Sequence, residues 1–125
     1  MTEATPPIEL TGTAARWSGA VEVPAEVVAE LDAATTVLTD EAEVAERSRD
    51  WWPLALHWSL AGEVPARAAL AVRPESTEQV AAVVRTCAAH GIPLTAAGGR
   101  SGVTGASVPA HGGVLVDLTG LAGVG

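Results

Sequence analysis

The sequence predicts an α+β fold built around a βαβ unit, and three observations support this prediction. Two short apolar runs, residues 68–72 and 94–97, flank a stretch in which apolar residues recur at helical spacing. A third apolar run, 114–118, follows a glycine-rich segment. Proline or glycine interrupts the chain between these runs, which marks the ends of the elements. We therefore expect parallel strands joined by a helix, with a glycine-rich loop bounded by strands.

The segment before the βαβ unit predicts short elements only. Pro24, at a first helical position, is followed by apolar residues on one face, which indicates a helix that ends near Ala34. Asp40 with Glu43 three residues later is a variant of the capping box, and it predicts a second helix that ends near Asp50 and is mostly solvated. Residues 1–12, rich in Thr, Pro and Glu without a period, are expected to form a flexible leader.

Residues 51–66 hold three of the four tryptophans, with His57 beside Trp58. One interpretation is an aromatic surface for a ring-shaped ligand, with His57 as acid or base. The other is that amphipathic tryptophans cover one edge of a core made of small residues. We favour the second, because no titratable group of matching role lies close in sequence.

The helix of the βαβ unit carries both of its end signals. Ser76 and Gln79 form a capping box, Gly91 is placed to end the helix, and Pro93 prevents its continuation. The apolar positions between them follow at i, i+3, i+4 and i+7: Val80, Val83, Val84 and Cys87. Cys87 is the single cysteine, so an internal disulfide is excluded, and a small buried hydrophobe is favoured over a reactive thiol.

Charge and composition exclude several classes of function. The net charge is −8, there is no lysine, and residues 1–50 hold eleven acids against three arginines. Nucleic acid and anionic lipid need clustered cations, so neither is an expected partner. We expect no membrane span and a cytoplasmic protein, because no long apolar run and no signal-peptide pattern is present. A metal site would need the distant residues His57, His90 and His111 to converge, so none is expected.

The glycine-rich loop is the stretch AAGGRSGVTGASVP, residues 96–109. Its glycines allow successive N–H groups to converge on an anion, which favours a phosphate cradle; a Gly/Ser surface loop is the alternative. A Walker loop is excluded because it needs a lysine, and a Rossmann fingerprint fails in spacing and lacks its helix. Arg100 is either a countercharge for the anion or the partner of an acid, and the sequence leaves both open.

From residue 73 to 121 the chain resembles the FAD-binding domain of the vanillyl-alcohol oxidase and p-cresol methylhydroxylase flavoprotein family. The matching pattern is P-x-S/T-x-x-Q/E-V, a helix, G-I/V-P and a Gly-rich loop before a strand, and it extends over roughly residues 68–121. The branch of D-lactate dehydrogenase, the glycolate oxidase subunit and alkyldihydroxyacetonephosphate synthase is the most similar. The resemblance implies that main-chain amides of the loop wrap the FAD pyrophosphate. The implied cofactor-binding residues are Gly98, Gly99, Arg100, Ser101, Gly102, Val103, Thr104, Gly105 and Ser107.

The same resemblance sets further expectations. Many relatives with covalent flavin have a histidine where this chain has Ser101, so noncovalent FAD is implied. Members of the family continue through the rest of the FAD domain and a substrate domain, so the chain is expected to be partial, with residues 1–65 as an N-terminal segment and 66–125 as the first half of the FAD domain. The catalytic residues then lie beyond Gly125 and none is assigned.

The implied function is an FAD-linked oxidoreductase that acts on a small-molecule substrate, a 2-hydroxy acid or small alcohol, by hydride transfer to flavin. The segment alone is expected to be inactive, and its oligomeric state is not predicted. Two alternatives remain: an FAD-dependent transferase like alkyldihydroxyacetonephosphate synthase, and a non-catalytic phosphate- or nucleotide-binding module.

Overall fold

A computed structural model describes residues 12–99 and 105–121 of the chain. It contains both helices and strands, as expected for the α+β class. In chain order the elements are β1 (Ala14–Ala15), α1 (Ala25–Ala34), β2 (Thr36–Leu38), α2 (Glu41–Arg47), α3 (Pro53–Ser59), β3 (Glu63–Val64), β4 (Leu70–Arg73), α4 (Thr77–His90), β5 (Leu94–Ala97), β6 (Val114–Asp117) and a 3-10 turn (Leu118–Gly120).

A four-stranded sheet in the order β2-β4-β6-β5 forms the centre of the fold. β4, β6 and β5 are parallel, whereas β2 runs antiparallel to β4 at one edge. The predicted parallel strands are confirmed, but β6 lies between β4 and β5 and pairs with both. The three parallel strands therefore end at one edge of the sheet, where Ala97 is paired with Asp117.

Helices α1 and α4 cover one face of this sheet. Successive side chains of a strand point to opposite faces of the sheet, so one face of β4 and β6 packs against these helices. The buried residues of this core are Val27, Leu31, Leu70, Val72, Val83, Cys87, Val114 and Val116. Cys87 is fully buried, as predicted, and burial raises the pKa of its thiol.

Helix α4 has the ends that the sequence predicts. The Ser76 hydroxyl accepts the Gln79 N–H at 3.2 Å, and Gln79 Oε1 accepts the N–H of Glu75 at 2.9 Å. Gly91 caps the other end with a φ of 65°, and the next N–H, of Ile92, donates to the Cys87 carbonyl at 2.9 Å. These local bonds fix the length of the helix and with it the start of β5.

Helix α2 packs on the opposite face, against small side chains. Val44, Ala68, Ala71, Ala97 and Leu115 form this second core. The Asp40 cap is confirmed, since its Oδ2 accepts the Glu43 N–H at 3.0 Å.

The end of α2 differs from the prediction. The helix stops at Arg47, three residues before the expected end near Asp50, and most of its residues are exposed, as predicted. Ser48, Arg49 and Asp50, which follow it, are buried. The Ser48 hydroxyl donates to the Val44 carbonyl at 2.7 Å and accepts the Ala68 N–H at 3.2 Å. These bonds end the helix and hold the chain against β4.

Short elements of the N-terminal segment complete the fold. β1 pairs with β3 in a separate two-stranded parallel sheet, and β2 joins the main sheet beside β4. Helix α1 begins at Ala25, one residue later than expected, with Pro24 as its N-cap. The predicted leader lies almost wholly outside the described residues, and the division at residues 65 and 66 stays a prediction. In the described ranges no helix is long and apolar enough to span a membrane.

Candidate functional site

The carboxyl edge of the parallel strands carries a buried acid at its centre. Asp117, the last residue of β6, accepts Arg47 Nε at 2.9 Å and both the main-chain N–H and the hydroxyl of Thr119, at 3.0 and 2.6 Å. Burial alone would raise the pKa of this carboxyl, but the hydrogen bonds from Thr119 and the charge of Arg47 outweigh it and lower the pKa below its ordinary value. The charged side chain of Asp117, which accepts hydrogen bonds at both of its oxygens, thus fixes the end of β6 beside Ala97.

The glycine-rich loop leaves the sheet at this edge. Gly98 and Gly99 follow Ala97 directly and are exposed. Neither has a φ in the left-handed region, and a Cβ built on either meets no described atom within 4 Å. The described part of the fold therefore gives no reason for glycine at these two positions. Main chain without side chains, facing open space, fits the close approach of a phosphate group.

The other limb of the loop returns through Gly105 and Ser107. Gly105 has a φ of 78°, and a Cβ on it would lie 3.1 Å from the Trp52 ring. The Gly105 carbonyl accepts the Val108 N–H at 3.0 Å, and Val108 and Pro109 are buried. The positive φ of Gly105 and the nearby Trp52 ring both favour glycine at this position. The buried residues Val108 and Pro109 anchor the return limb in the fold.

The structure places four of the predicted site residues, Gly98, Gly99, Gly105 and Ser107, on the two limbs of one loop. The rest of the predicted set lies outside the described residues: Arg100, Ser101, Gly102, Val103 and Thr104. The cofactor-binding role of all nine stays a prediction, and so does the choice between the two roles considered for Arg100.

Three tryptophans form a cluster beside the return limb. The ring centroids of Trp52 and Trp58 are 5.6 Å apart, and Trp17 lies 6.2 and 6.0 Å from them. The rings pack edge to face or tilted, the geometry that aromatic pairs prefer, and Arg16 lies over the Trp58 ring at 4.6 Å. Trp17 lies more than thirty residues before the others and carries no periodic signal, so its place in the cluster could not be predicted from the sequence. Trp17 is 39% exposed and neither hydrophobic core includes a tryptophan, so the choice between a core edge and a ligand surface stays a prediction.

Two surface grooves lie at the opposite, amino end of β4. Their volumes are about 380 and 170 Å³, and both are lined by Arg67, Ala68 and Ala69. Arg67 donates to the Thr13 carbonyl at 2.7 Å and pairs with Glu41. None of the predicted site residues lines either groove. Within the described residues, no group of three or more His, Cys, Asp or Glu side chains could hold a metal ion.

Comparison with known proteins identifies the same part of the chain. Residues 68–125 match the family model described as FAD binding domain. D-lactate dehydrogenase of Anaerostipes hadrus is 46% identical over 54 residues, 43% of this chain and 11% of that protein. D-2-hydroxyglutarate dehydrogenase of Stutzerimonas stutzeri is 40% identical over 82 residues, 66% of this chain and 16% of that protein. An uncharacterized FAD-linked oxidoreductase of Mycobacterium tuberculosis is 36% identical over 54 residues, 43% of this chain and 12% of that protein.

Solved structures support the fold over a longer stretch. Two crystal forms of alkyldihydroxyacetonephosphate synthase align with TM-scores of 0.69 and 0.71, at 21% identity, over 90% of this chain and 23% and 22% of theirs. The chain spans between 11% and 16% of the length of the curated relatives it matches. Residues 68–125 thus match the FAD-binding domain family and are similar to the corresponding part of FAD-linked oxidoreductases.

Proposed function

We propose that this chain supplies the FAD pyrophosphate-binding part of an FAD-linked oxidoreductase. The observation that carries the proposal is the loop at the carboxyl edge of the sheet, within the matched residues 68–125, whose first two glycines face open space. Ligands of open parallel sheets bind at this edge. An alkyldihydroxyacetonephosphate synthase-like transferase is supported by a similarity of fold alone, and a non-catalytic module by no feature of the described residues.

In this proposal the main chain does the binding. The N–H groups of Gly98 and Gly99 approach the diphosphate without interference from side chains, and the limb at Gly105 and Ser107 closes the loop from the other side. The sequence contains no lysine, and near the loop the Arg47 side chain is paired with Asp117. Binding by main-chain dipoles therefore agrees with the charge pattern of this edge.

The substrate is proposed to be a small 2-hydroxy acid or a related alcohol. The two dehydrogenases named above act, by their names, on D-lactate and D-2-hydroxyglutarate. FAD supplies, when bound, the acceptor for the hydride that leaves the hydroxyl-bearing carbon. We assign no catalytic residue in this chain, and we propose that the 125 residues alone are inactive and that the protein works in the cytoplasm.

The first test is flavin content. We expect the purified full-length protein that contains this segment to carry FAD absorbance, and expect Gly98→Val and Gly102→Val each to lose most of it. A Cβ at Gly98 would meet no described atom within 4 Å. We therefore expect the effect of Gly98→Val to fall on the ligand and the free energy of unfolding to stay within about 0.5 kcal/mol. Ala110→Val adds similar bulk at an exposed position outside the loop and serves as the control. Unchanged flavin content in both glycine variants would rule out the cradle.

The mode of attachment is tested separately. Ser101 occupies the position at which covalent relatives have histidine, so we propose that FAD is held without a covalent bond. Acid precipitation is expected to release all of the flavin into the supernatant. A yellow pellet would contradict noncovalent binding while leaving the identity of the cofactor intact.

A further inference from the structure

We infer that Trp52, which precedes the matched residues 68–125, is a positioning residue of the flavin site. Its ring holds the return limb of the glycine-rich loop in the conformation that receives the diphosphate. The inference rests on the proposed function, since it concerns the same loop. It enlarges the binding unit to include the N-terminal tryptophan cluster.

The first step is the contact between Trp52 and Gly105. A Cβ on Gly105 would lie 3.1 Å from Trp52 Cε3 and 3.3 Å from Cδ2, so the ring packs directly on the main chain of the loop. Gly105 also has a φ of 78°, a conformation that side chains disfavour. The contact ties the position of Gly105 to the ring, and the positive φ disfavours any other residue there.

The second step is the rigidity of the ring. Trp52 packs against both Trp17 and Trp58, with centroid separations of 6.2 and 5.6 Å. Its main-chain N–H donates to Asp50 Oδ1 at 2.9 Å, and its carbonyl accepts the Leu56 N–H at 3.1 Å at the start of α3. Both the side chain and the backbone of Trp52 are therefore held in place.

The third step concerns the return limb. Gly105 packs on Trp52, and Val108 and Pro109, which follow it, are buried. A limb that is held in place before binding loses less conformational freedom when it binds a ligand. Without the ring, the limb at Gly105 would have to be ordered by FAD itself, and the affinity for FAD would fall.

The experiment compares two neighbouring tryptophans in the full chain. Trp52→Ala is expected to raise the Kd for FAD, measured by titration of apoprotein, about tenfold. Trp51 is 57% exposed, so Trp51→Ala is the matched control and is expected to leave the Kd within about twofold. Trp52→Phe keeps an aromatic ring against Gly105 and is expected to restore most of the affinity. Equal affinities of wild type and folded Trp52→Ala would overturn the inference.

A double-mutant cycle covers the case in which Trp52→Ala does not fold. Trp52→Leu removes the ring but keeps an apolar side chain at this position. Gly105→Ala should weaken FAD binding, and combining it with Trp52→Leu tests whether the two positions act through one contact. We expect the two losses of affinity to be non-additive by at least about threefold, whereas strictly additive losses would contradict the contact. If wild type itself binds no FAD, the proposed function fails, a result distinct from a failure of the role of Trp52.

Discussion

Two buried carboxylates near the loop are bonded very differently. Arg47 and Thr119 donate three hydrogen bonds to Asp117, which ends β6 as a charged group. Asp50 is 5% exposed; its Oδ1 accepts the Trp52 N–H, but its Oδ2 has no hydrogen-bond partner in the described part of the chain. The first carboxylate contributes to stability as an anion, and the second contributes mainly through one oxygen.

Acid is therefore expected to weaken the fold through Asp117. Its pKa is lower in the folded chain than in the unfolded one, so its contribution is present above the unfolded pKa of about 3.9 and is lost as the pH falls through the folded value. Asp117→Asn should lower the free energy of unfolding at pH 7 by about 1.5–3 kcal/mol and flatten the acid side of the stability curve. Urea unfolding at a series of pH values measures both. If the free energy of unfolding of Asp117→Asn fell with acid as steeply as that of wild type, the assignment of this pH dependence to Asp117 would be wrong.

Asp50 gives the opposite expectation. Asp50→Asn keeps the acceptor for the Trp52 N–H and replaces a buried acid that makes a single hydrogen bond in the described part of the chain, so we expect the free energy of unfolding to be equal or higher. Asp50→Ala loses that hydrogen bond and should lower the free energy of unfolding by about 1 kcal/mol. Thermal unfolding of the two variants side by side measures the difference, and a large loss in Asp50→Asn would show that Oδ2 has a partner.

Among the elements, those with local signals at both ends could be predicted. Helix α4 has its capping residue, its apolar spacing and its terminal glycine within one stretch of sequence, and the structure agrees at both ends. Of the four spaced apolar residues, Val83 and Cys87 are buried, whereas Val84 is 46% exposed. β2 could not be predicted, because a three-residue strand becomes stable only through its pairing with β4, a contact between residues more than thirty positions apart. The contact of Trp52 with Gly105 is equally non-local, so the sequence indicated the loop but not what supports it.

The cap of α4 can be tested on its own. Ser76→Ala removes the hydroxyl that accepts the Gln79 N–H, and we expect a loss of about 1 kcal/mol in the free energy of unfolding. Ser18 is exposed and has no described hydrogen bond, so Ser18→Ala is expected to change stability by less than about 0.5 kcal/mol. Chemical denaturation followed by far-UV circular dichroism compares the two variants. Similar losses in both would show that the cap adds nothing specific to α4.

Across the described residues, contacts join the N-terminal segment to the stretch that matches the family model, residues 68–125. Helix α1 shares a core with α4, β2 shares a sheet with β4, and the tryptophan cluster meets the loop at Gly105. Residues 68–125 alone would expose the faces that these elements cover. We therefore expect the described parts of the chain to unfold together.

Leu31 tests this cooperativity, because it lies on α1, is fully buried and belongs to the core it shares with α4. Leu31→Ala should lower the free energy of unfolding by about 2–5 kcal/mol, whereas Leu60→Ala, at a side chain 76% exposed, should change it by less than about 0.5 kcal/mol. The transition is followed by tryptophan emission, which reports the cluster, and by far-UV circular dichroism, which reports the helices. Because the N-terminal segment and the sheet share one core, both signals should shift to the same lower midpoint. A tryptophan transition that kept its wild-type midpoint while the helices unfolded earlier would show that the cluster unfolds as a separate unit, and would favour a domain boundary near residue 65.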